Sequence, residues 1–381
     1  MKKLCATLLC LALCMGVLPV RAAGPEVNAR AALLMEKSTG QVLYEANAHA
    51  PLELASVTKV MTMLLIMEAM DAGTITKETM VPVSATAAGM GGSQVYMEEG
   101  EEFSVHDMLK AIAVASGNDA CVAMAEYLAG SESAFVEKMN ARAAELGMED
   151  TVFCNCTGLP AEGHHSSAYD IALMSRELIL HHPDIRTYTT VWMDTLRDGD
   201  FQLANTNKLV RHYKGATGLK TGTTDAAGHC LCATATRDGM DLIAVVMGCK
   251  DSDTRFEQTK QLLDYGFSSF MIYQPQQEEV QAQLTPVPVV CGAQTEVLPQ
   301  IGELPKAVVR RDQAEEIEVA VELVPELQAP VLQGDSIGTV SLSRQGETLS
   351  QEPLTASQTV ERMTFAKSLK ALLRGLAQVQ G

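Results

Sequence analysis

The chain has 381 residues, 47% of them hydrophobic and 20% charged, with a formal net charge of -18. That length accommodates two domains with a sizeable core, and the apolar content excludes a disordered chain. The acidic balance excludes non-specific nucleic-acid binding, which needs a basic surface.

The N-terminus reads as a secretory signal. Lys2 and Lys3 precede an apolar run from Leu4 to Val20, and Val20-Arg21-Ala22 places small residues for a cut after Ala22. The run is short for a retained anchor. The mature protein is therefore expected to be exported, and soluble or peripheral. Three of the ten cysteines leave with residues 1–22. Among the rest, Cys154/Cys156 and Cys230/Cys232 have strand spacing, with both sulfurs of each pair on one face. No Cys-x-x-Cys pair makes a zinc or redox case, and most of the thiols read as small core hydrophobes.

Ala31 to Met35 and Gln41 to Glu45 predict a hairpin around Lys37-Ser38-Thr39-Gly40. An apolar run from Val60 to Met70, stopped by Gly73, predicts a buried helix with Ser56 and Lys59 in its first turn. Residues 74–100 read as irregular surface chain. Helices follow, from Ser104 with Asp107 through Ala115, from Asp119 to Leu128, from Ser133 to Leu146, and from Ser167 with Asp170 to the Pro183 stop. Cys230 to Ala235 and Leu242 to Met247 form a second predicted hairpin, and Thr254 to Phe270 an amphipathic helix. Strand pairs at both ends with helices between them predict an α/β (α+β) domain, residues 23–273, with one antiparallel sheet covered by helices. After the linker 274–277, short strands at Val287–Val290, Val308–Arg310, Glu316–Val324 and Gly338–Leu342 predict a small all-β domain over 274–357. The tail, 358–381, carries an apolar stripe with Arg362, Lys367, Lys370 and Arg374 beside it. It reads as a basic amphipathic helix for a membrane surface, the rival being a helix docked on its own domain.

Three short motifs carry chemistry: Ser56-x-x-Lys59, Ser116-x-Asn118 and Lys220-Thr221-Gly222. Each pattern occurs once in the chain. A serine beside an amine that can take its proton is an activated nucleophile, provided burial and a neighbouring cation such as Lys220 keep Lys59 neutral. Ser116 can relay a proton to a leaving amine. Asn118 can hold both Lys59 and a substrate carbonyl. Lys220 and Thr221 can bind a carboxylate, and Gly222 lets a substrate backbone approach a strand edge. The N–H groups of Ser56 and Thr223 can form an oxyanion hole. His164-His165 and His181-His182 lack the helical i, i+4 spacing with glutamate that would suggest a metal, and no phosphate loop is present.

In order and context these motifs resemble the penicillin-binding protein and serine β-lactamase superfamily. The stretches Leu54–Thr62, Ser116–Ala120, Asn155–Pro160, Asn205–Leu209 and Gly218–Gly228 are similar to those of D-alanyl-D-alanine carboxypeptidases, the low-molecular-mass penicillin-binding proteins. The resemblance implies a β-lactamase/transpeptidase-like domain followed by a β-sandwich. It also implies removal of the terminal D-alanine from peptidoglycan stem pentapeptides through a serine acyl-enzyme, covalent binding of β-lactams, no cofactor, and an extracytoplasmic site of action. By position, Arg255 is similar to a family arginine near the terminal carboxylate. Thr223 stands where many members have histidine. Two rivals remain, a serine β-lactamase and a catalytically silent wall-binding protein. Against the first, no Glu-x-x-Leu-Asn segment supplies a deacylation base.

Overall fold

The computed structural model describes residues 24–365. The leader expected at 1–22 and the greater part of the tail expected at 358–381 lie outside the described residues. Among those described, no helix is long and apolar enough to cross a membrane. The chain divides into two compact units. Among the described residues, one holds 24–35, Val42–Ala235 and Leu242–Tyr265; the other holds Glu36–Gln41, Thr236–Asp241 and 266–365.

The first hairpin is β1 (Ala31–Glu36) with β2 (Val42–Ala46), antiparallel. Its turn is built by Glu36, whose buried carboxylate accepts from the Ser38 and Thr39 N–H groups at 2.9 and 2.8 Å and from both hydroxyls. That satisfies an acid otherwise costly to bury. Three more strands, β3 (Ala216–Thr224), β4 (Gly228–Arg237) and β5 (Met240–Cys249), complete a five-stranded sheet of order β2-β1-β5-β4-β3. β3 comes last in that order, so among the described residues one of its edges has no strand beside it.

Helices lie between the hairpins, and one more follows the second. α1 (Lys59–Asp71) is apolar on every side, with Val60, Met61, Met63, Leu64, Ile66 and Met67 all at most 1% exposed. A helix of that kind belongs in a core. Its methionines Met61, Met63 and Met67 are core packing, in line with the buried helix expected from that run. α2 (Val105–Ala113) starts at Ser104, whose hydroxyl accepts from the Asp107 N–H at 3.1 Å. α3 (Asn118–Ala129), α4 (Glu132–Glu145), α5 (Ala168–His181) and α6 (Ser252–Ser269) follow.

The differences from expectation are local. Ser56 stands in a four-residue 3₁₀ turn, Ala55–Thr58, ahead of α1 rather than inside it. Ser131, not Ser133, caps α4. Asp119 does not cap α3. Its carboxylate accepts from the Val95 and Met97 N–H groups at 2.9 and 3.2 Å, tying the preceding loop to the helix start. That loop is more than surface chain: Val81, Val83, Val95 and Met97 are buried, and Met80–Pro82 pairs with Glu102–Ser104. A further hairpin, Met193–Leu196 with Phe201–Ala204, was not expected.

In the second unit the strands are β6 (Phe270–Tyr273), β7 (Val287–Val290), β8 (Glu296–Val297), β9 (Pro299–Ile301), β10 (Ala307–Arg310), β11 (Glu318–Leu323), β12 (Leu327–Gln328), β13 (Ser336–Arg344) and β14 (Glu347–Ala356). They form sheets ordered β6-β10, β8-β7-β12 and β9-β14-β13-β11. The region is built mainly of sheets as expected, but it is not purely β: a short helix, Gln277–Gln281, and a 3₁₀ turn, Arg311–Glu316, interrupt it. Phe270, expected at the end of a helix, instead begins a strand that pairs with Arg310.

Candidate active site

The serine turn is held in an unusual backbone conformation. Ala55 has φ +49, a region L residues rarely adopt. Gly158 explains how it is reached. A Cβ on Gly158 would lie 1.9 Å from the Ala55 carbonyl oxygen and 2.8 Å from Thr58 Oγ1. Bare backbone from the 155–160 loop therefore packs against the turn. Asn155 shapes that loop, its Oδ1 accepting from Gly158 N–H at 2.7 Å and Thr157 N–H at 3.2 Å. Gly158→Ala is expected to displace the Ala55 carbonyl and to lower the melting temperature by the equivalent of about 1–3 kcal/mol. An unchanged melt would contradict this account.

Lys59 is the first residue of α1 and is 0% exposed. Its Nζ lies 2.9 Å from Ser56 Oγ and donates to Asn118 Oδ1 at 2.7 Å and to the Thr157 carbonyl at 2.8 Å. Asn118 is aimed by its other end. Its Nδ2 donates to Gly91 O at 2.6 Å, and its backbone N–H to Ser93 O at 2.7 Å. Ser116 is buried in the break before α3, with φ +64. Among the described residues no hydrogen bond links its hydroxyl to Ser56, Lys59 or Lys220.

Lys220, Thr221, Gly222 and Thr223 follow one another on β3. A Cβ on Gly222 would meet Leu54 O at 2.6 Å and the Ser56 and Val57 nitrogens at 3.0 Å. The backbone that approaches Gly222 is thus the chain's own serine turn, a nearer reason for glycine than the substrate expected there. Thr221 Oγ1 donates to Thr206 Oγ1 at 2.7 Å. Lys220 is 0% exposed, and its Nζ donates to Thr221 O at 3.0 Å.

Both lysines are pushed below the ordinary amine range. Burial is the chief cause for each, because a low-dielectric site disfavours the charged form. For Lys220, the charge of Lys59 and then that of Arg255 add to burial, and it is driven well below 10.5. The neutralising pressure expected on Lys59 alone falls on both amines.

Arg255, on α6, is 6% exposed and not a surface residue. Its Nη1 donates to Gly222 O at 3.2 Å, Thr223 Oγ1 at 3.1 Å and Cys230 O at 3.3 Å. Its Nε is buried and has no hydrogen-bond partner among the described residues. A cavity of about 280 Å³ opens beside the turn, lined in part by Glu53, Ala55, Leu159, Pro160, Thr224 and Ala226.

The remaining candidates separate from this cluster. Cys230 and Cys232 are both buried on β4, whereas Cys154 is exposed and Cys156 buried, on irregular chain rather than a strand. All seven cysteines from Cys121 to Cys291 are free. Glu68, Glu177 and His182 gather within 4.8 Å. Arg142 occupies that cluster, donating to the two glutamates at 2.7 and 2.6 Å, while His182 pairs with Asp71. Ion pairing accounts for these groups without a metal. Sequence reasoning missed Thr157, whose contribution is a carbonyl that any residue could supply, and the structural part played by Asn155.

Comparison with known proteins places this geometry. A family model for D-alanyl-D-alanine carboxypeptidase matches residues 19–251, and one for the penicillin-binding protein 5 C-terminal domain matches 274–362. D-alanyl-D-alanine carboxypeptidase DacF of Bacillus subtilis is 42% identical over 347 residues, 90% of this chain and 88% of the relative. The crystal structure of penicillin binding protein 5 from Haemophilus influenzae is 28% identical with a TM-score of 0.78, covering 89% of this chain and 99% of that one. Penicillin-binding protein D2 from Listeria monocytogenes, solved in the ampicillin-bound form, is 32% identical with a TM-score of 0.59, covering 64% of this chain and 100% of that one. Likeness sustained in order through both halves, from the serine turn to the C-terminal sheets, reaches well past a shared fold: this chain belongs to the D-alanyl-D-alanine carboxypeptidase family.

Proposed function

We propose that Ser56 attacks the carbonyl of a terminal D-Ala-D-Ala bond in peptidoglycan stem pentapeptides, with Lys59 taking its proton. The observation that carries this reading is the partner set of the buried Lys59 amine. Two of its partners, Asn118 Oδ1 and Thr157 O, are carbonyl oxygens that can only accept. A neutral amine has two N–H donors, and both are committed there. Its lone pair is left facing Ser56 Oγ, as a general base requires. The Ser56 and Thr223 N–H groups hold the oxyanion, and Ser116 with Lys220 passes the proton to the departing D-alanine. Water then hydrolyses the acyl-enzyme. Thr221 and Arg255 receive the terminal carboxylate. The charge of Arg255 and its hydrogen bonds to Gly222 O and Thr223 Oγ1, beside the Lys220-Thr221-Gly222 motif, support that role. Arg255→Ala is expected to raise KM roughly 10- to 100-fold, the range of a charge-assisted hydrogen bond, with a smaller change in kcat. An unaltered KM would remove Arg255 from the site.

β-Lactams acylate the same serine, and without a deacylation base the adduct persists; the ampicillin-bound relative supports this. Fast turnover of penicillin with no adduct would favour a β-lactamase, and absence of both adduct and hydrolysis a silent wall-binding protein. The direct test incubates the protein with a pentapeptide ending in D-Ala-D-Ala and measures released D-alanine. No release would overturn the proposal.

The substrate class and the leader-like residues 1–22 support action outside the cytoplasm, at the membrane or wall. The basic, apolar-striped tail supports peripheral membrane attachment. Deleting the residues after Val360 is expected to move the protein from the membrane to the soluble fraction, and no shift would remove the anchor.

A further inference from the structure

We propose that His164 is a positioning residue for the oxyanion hole, acting on the Ser56 N–H through Thr58 and the Ala55 carbonyl. The inference rests on the acyl-enzyme reading of Ser56 above. His164 lies 5% exposed in the loop before α5. Its Nδ1 accepts from the Cys154 N–H at 2.9 Å, so the ring proton is on Nε2. Nε2 lies 2.8 Å from Thr58 Oγ1 and donates to it. Having accepted that bond, the Thr58 hydroxyl gives its own proton to Ala55 O, also at 2.8 Å. Every donor and acceptor along this path is fixed. Burial, with His165 adding, brings the imidazole down to about 4, which keeps it neutral and in this one tautomer near neutral pH.

The chemical consequence lies in one peptide bond. Ala55 C=O and Ser56 N–H belong to the same planar trans unit, so fixing the carbonyl fixes the direction of the N–H on the opposite side. Oxyanion donors work only when aimed where charge develops, at about 2.7–3.1 Å. Ala55 reaches this orientation at φ +49, a conformation that persists only when its surroundings hold it. Gly158 packs on the carbonyl from one side and Thr58 binds it from another. Accepting a hydrogen bond also polarises the peptide and strengthens its N–H as a donor.

Infrared difference spectra of the penicilloyl-enzyme test this, because the ester carbonyl stretch reports hydrogen bonding in the oxyanion hole. The variants are Thr58→Val, which removes the hydroxyl and keeps the shape, Thr58→Ser, which restores it, and His164→Gln, which keeps an N–H donor. Wild type is expected to show a lowered stretch. Thr58→Val is expected to raise it and slow acylation roughly 10- to 100-fold, with non-covalent binding unchanged. Thr58→Ser and His164→Gln should recover most of both. A Thr58→Val adduct with an unmoved carbonyl, whether or not its melting temperature falls, would overturn the role and leave His164 as a loop fastener. If wild type itself carries no ester on Ser56, the acyl-enzyme reading fails and this role with it.

Discussion

Ser56→Ala is expected to release no measurable D-alanine and to lose all labelling by a fluorescent penicillin, while folding normally. The substitution deletes one oxygen in a turn whose shape other groups hold: Thr58 and Gly158 fix Ala55, and the Gly222 strand backs the Ser56 nitrogen. Lys59 keeps its bonds to Asn118 and Thr157. Stability should therefore move by only about 1 kcal/mol, the net worth of the single hydrogen bond to Lys59 that is lost. The rate should fall by roughly 10⁴- to 10⁶-fold, as when the nucleophile of a serine hydrolase is removed. Melting curves and single-turnover labelling separate the two effects. Labelling of the variant at the wild-type level would place the nucleophile elsewhere.

How much of this was legible in the sequence depends on what each position contributes. The roles proposed for Ser56, Lys59, Asn118 and Lys220 rest on side-chain chemistry that few residue types supply, so their order and spacing carried a signal. Thr157 acts through its carbonyl and left none. The helices were legible because their caps and stops are local: Ser104 with Asp107 and Ser167 with Asp170 are read within four residues. β14 was not, since only Leu354 and Ala356 along it are fully buried and Pro353 interrupts the pattern. Gly158 and Gly222 were visible as glycines, but the reason for them is contact with a turn that is distant in sequence. His164 was set aside as a poor metal ligand. Its two hydrogen bonds to Cys154 and Thr58 appear only when the loop closes on the serine turn.

Lys59→Met should lower acylation by roughly 10²- to 10⁴-fold, the contribution of a positioned general base. Methionine keeps the length and burial of the side chain and removes the amine. Two acceptors, Asn118 Oδ1 and Thr157 O, then lose a donor at a cost of about 1–3 kcal/mol each. Part of that is offset because no amine has to be desolvated. The pH dependence follows from the direction of the shift. Activity requires the neutral amine, so in wild type it is present above the folded-state pKa of Lys59 and lost as pH falls through it. Burial lowers that pKa from 10.5, which brings the active form toward neutral pH. Stability has the same sign. Between the depressed folded value and the unfolded value near 10.5 the unfolded chain binds more protons, so wild-type stability rises with pH across that window. Lys59→Met removes one contributor. It also relieves the charge that helps depress Lys220, so the remaining rise should start at a higher pH. Denaturant unfolding from pH 7 to 10.5 on both proteins, beside acylation rates over the same range, measures each effect. A variant that acylates at the wild-type rate with an unchanged pH profile would show that the proton leaves Ser56 by another route.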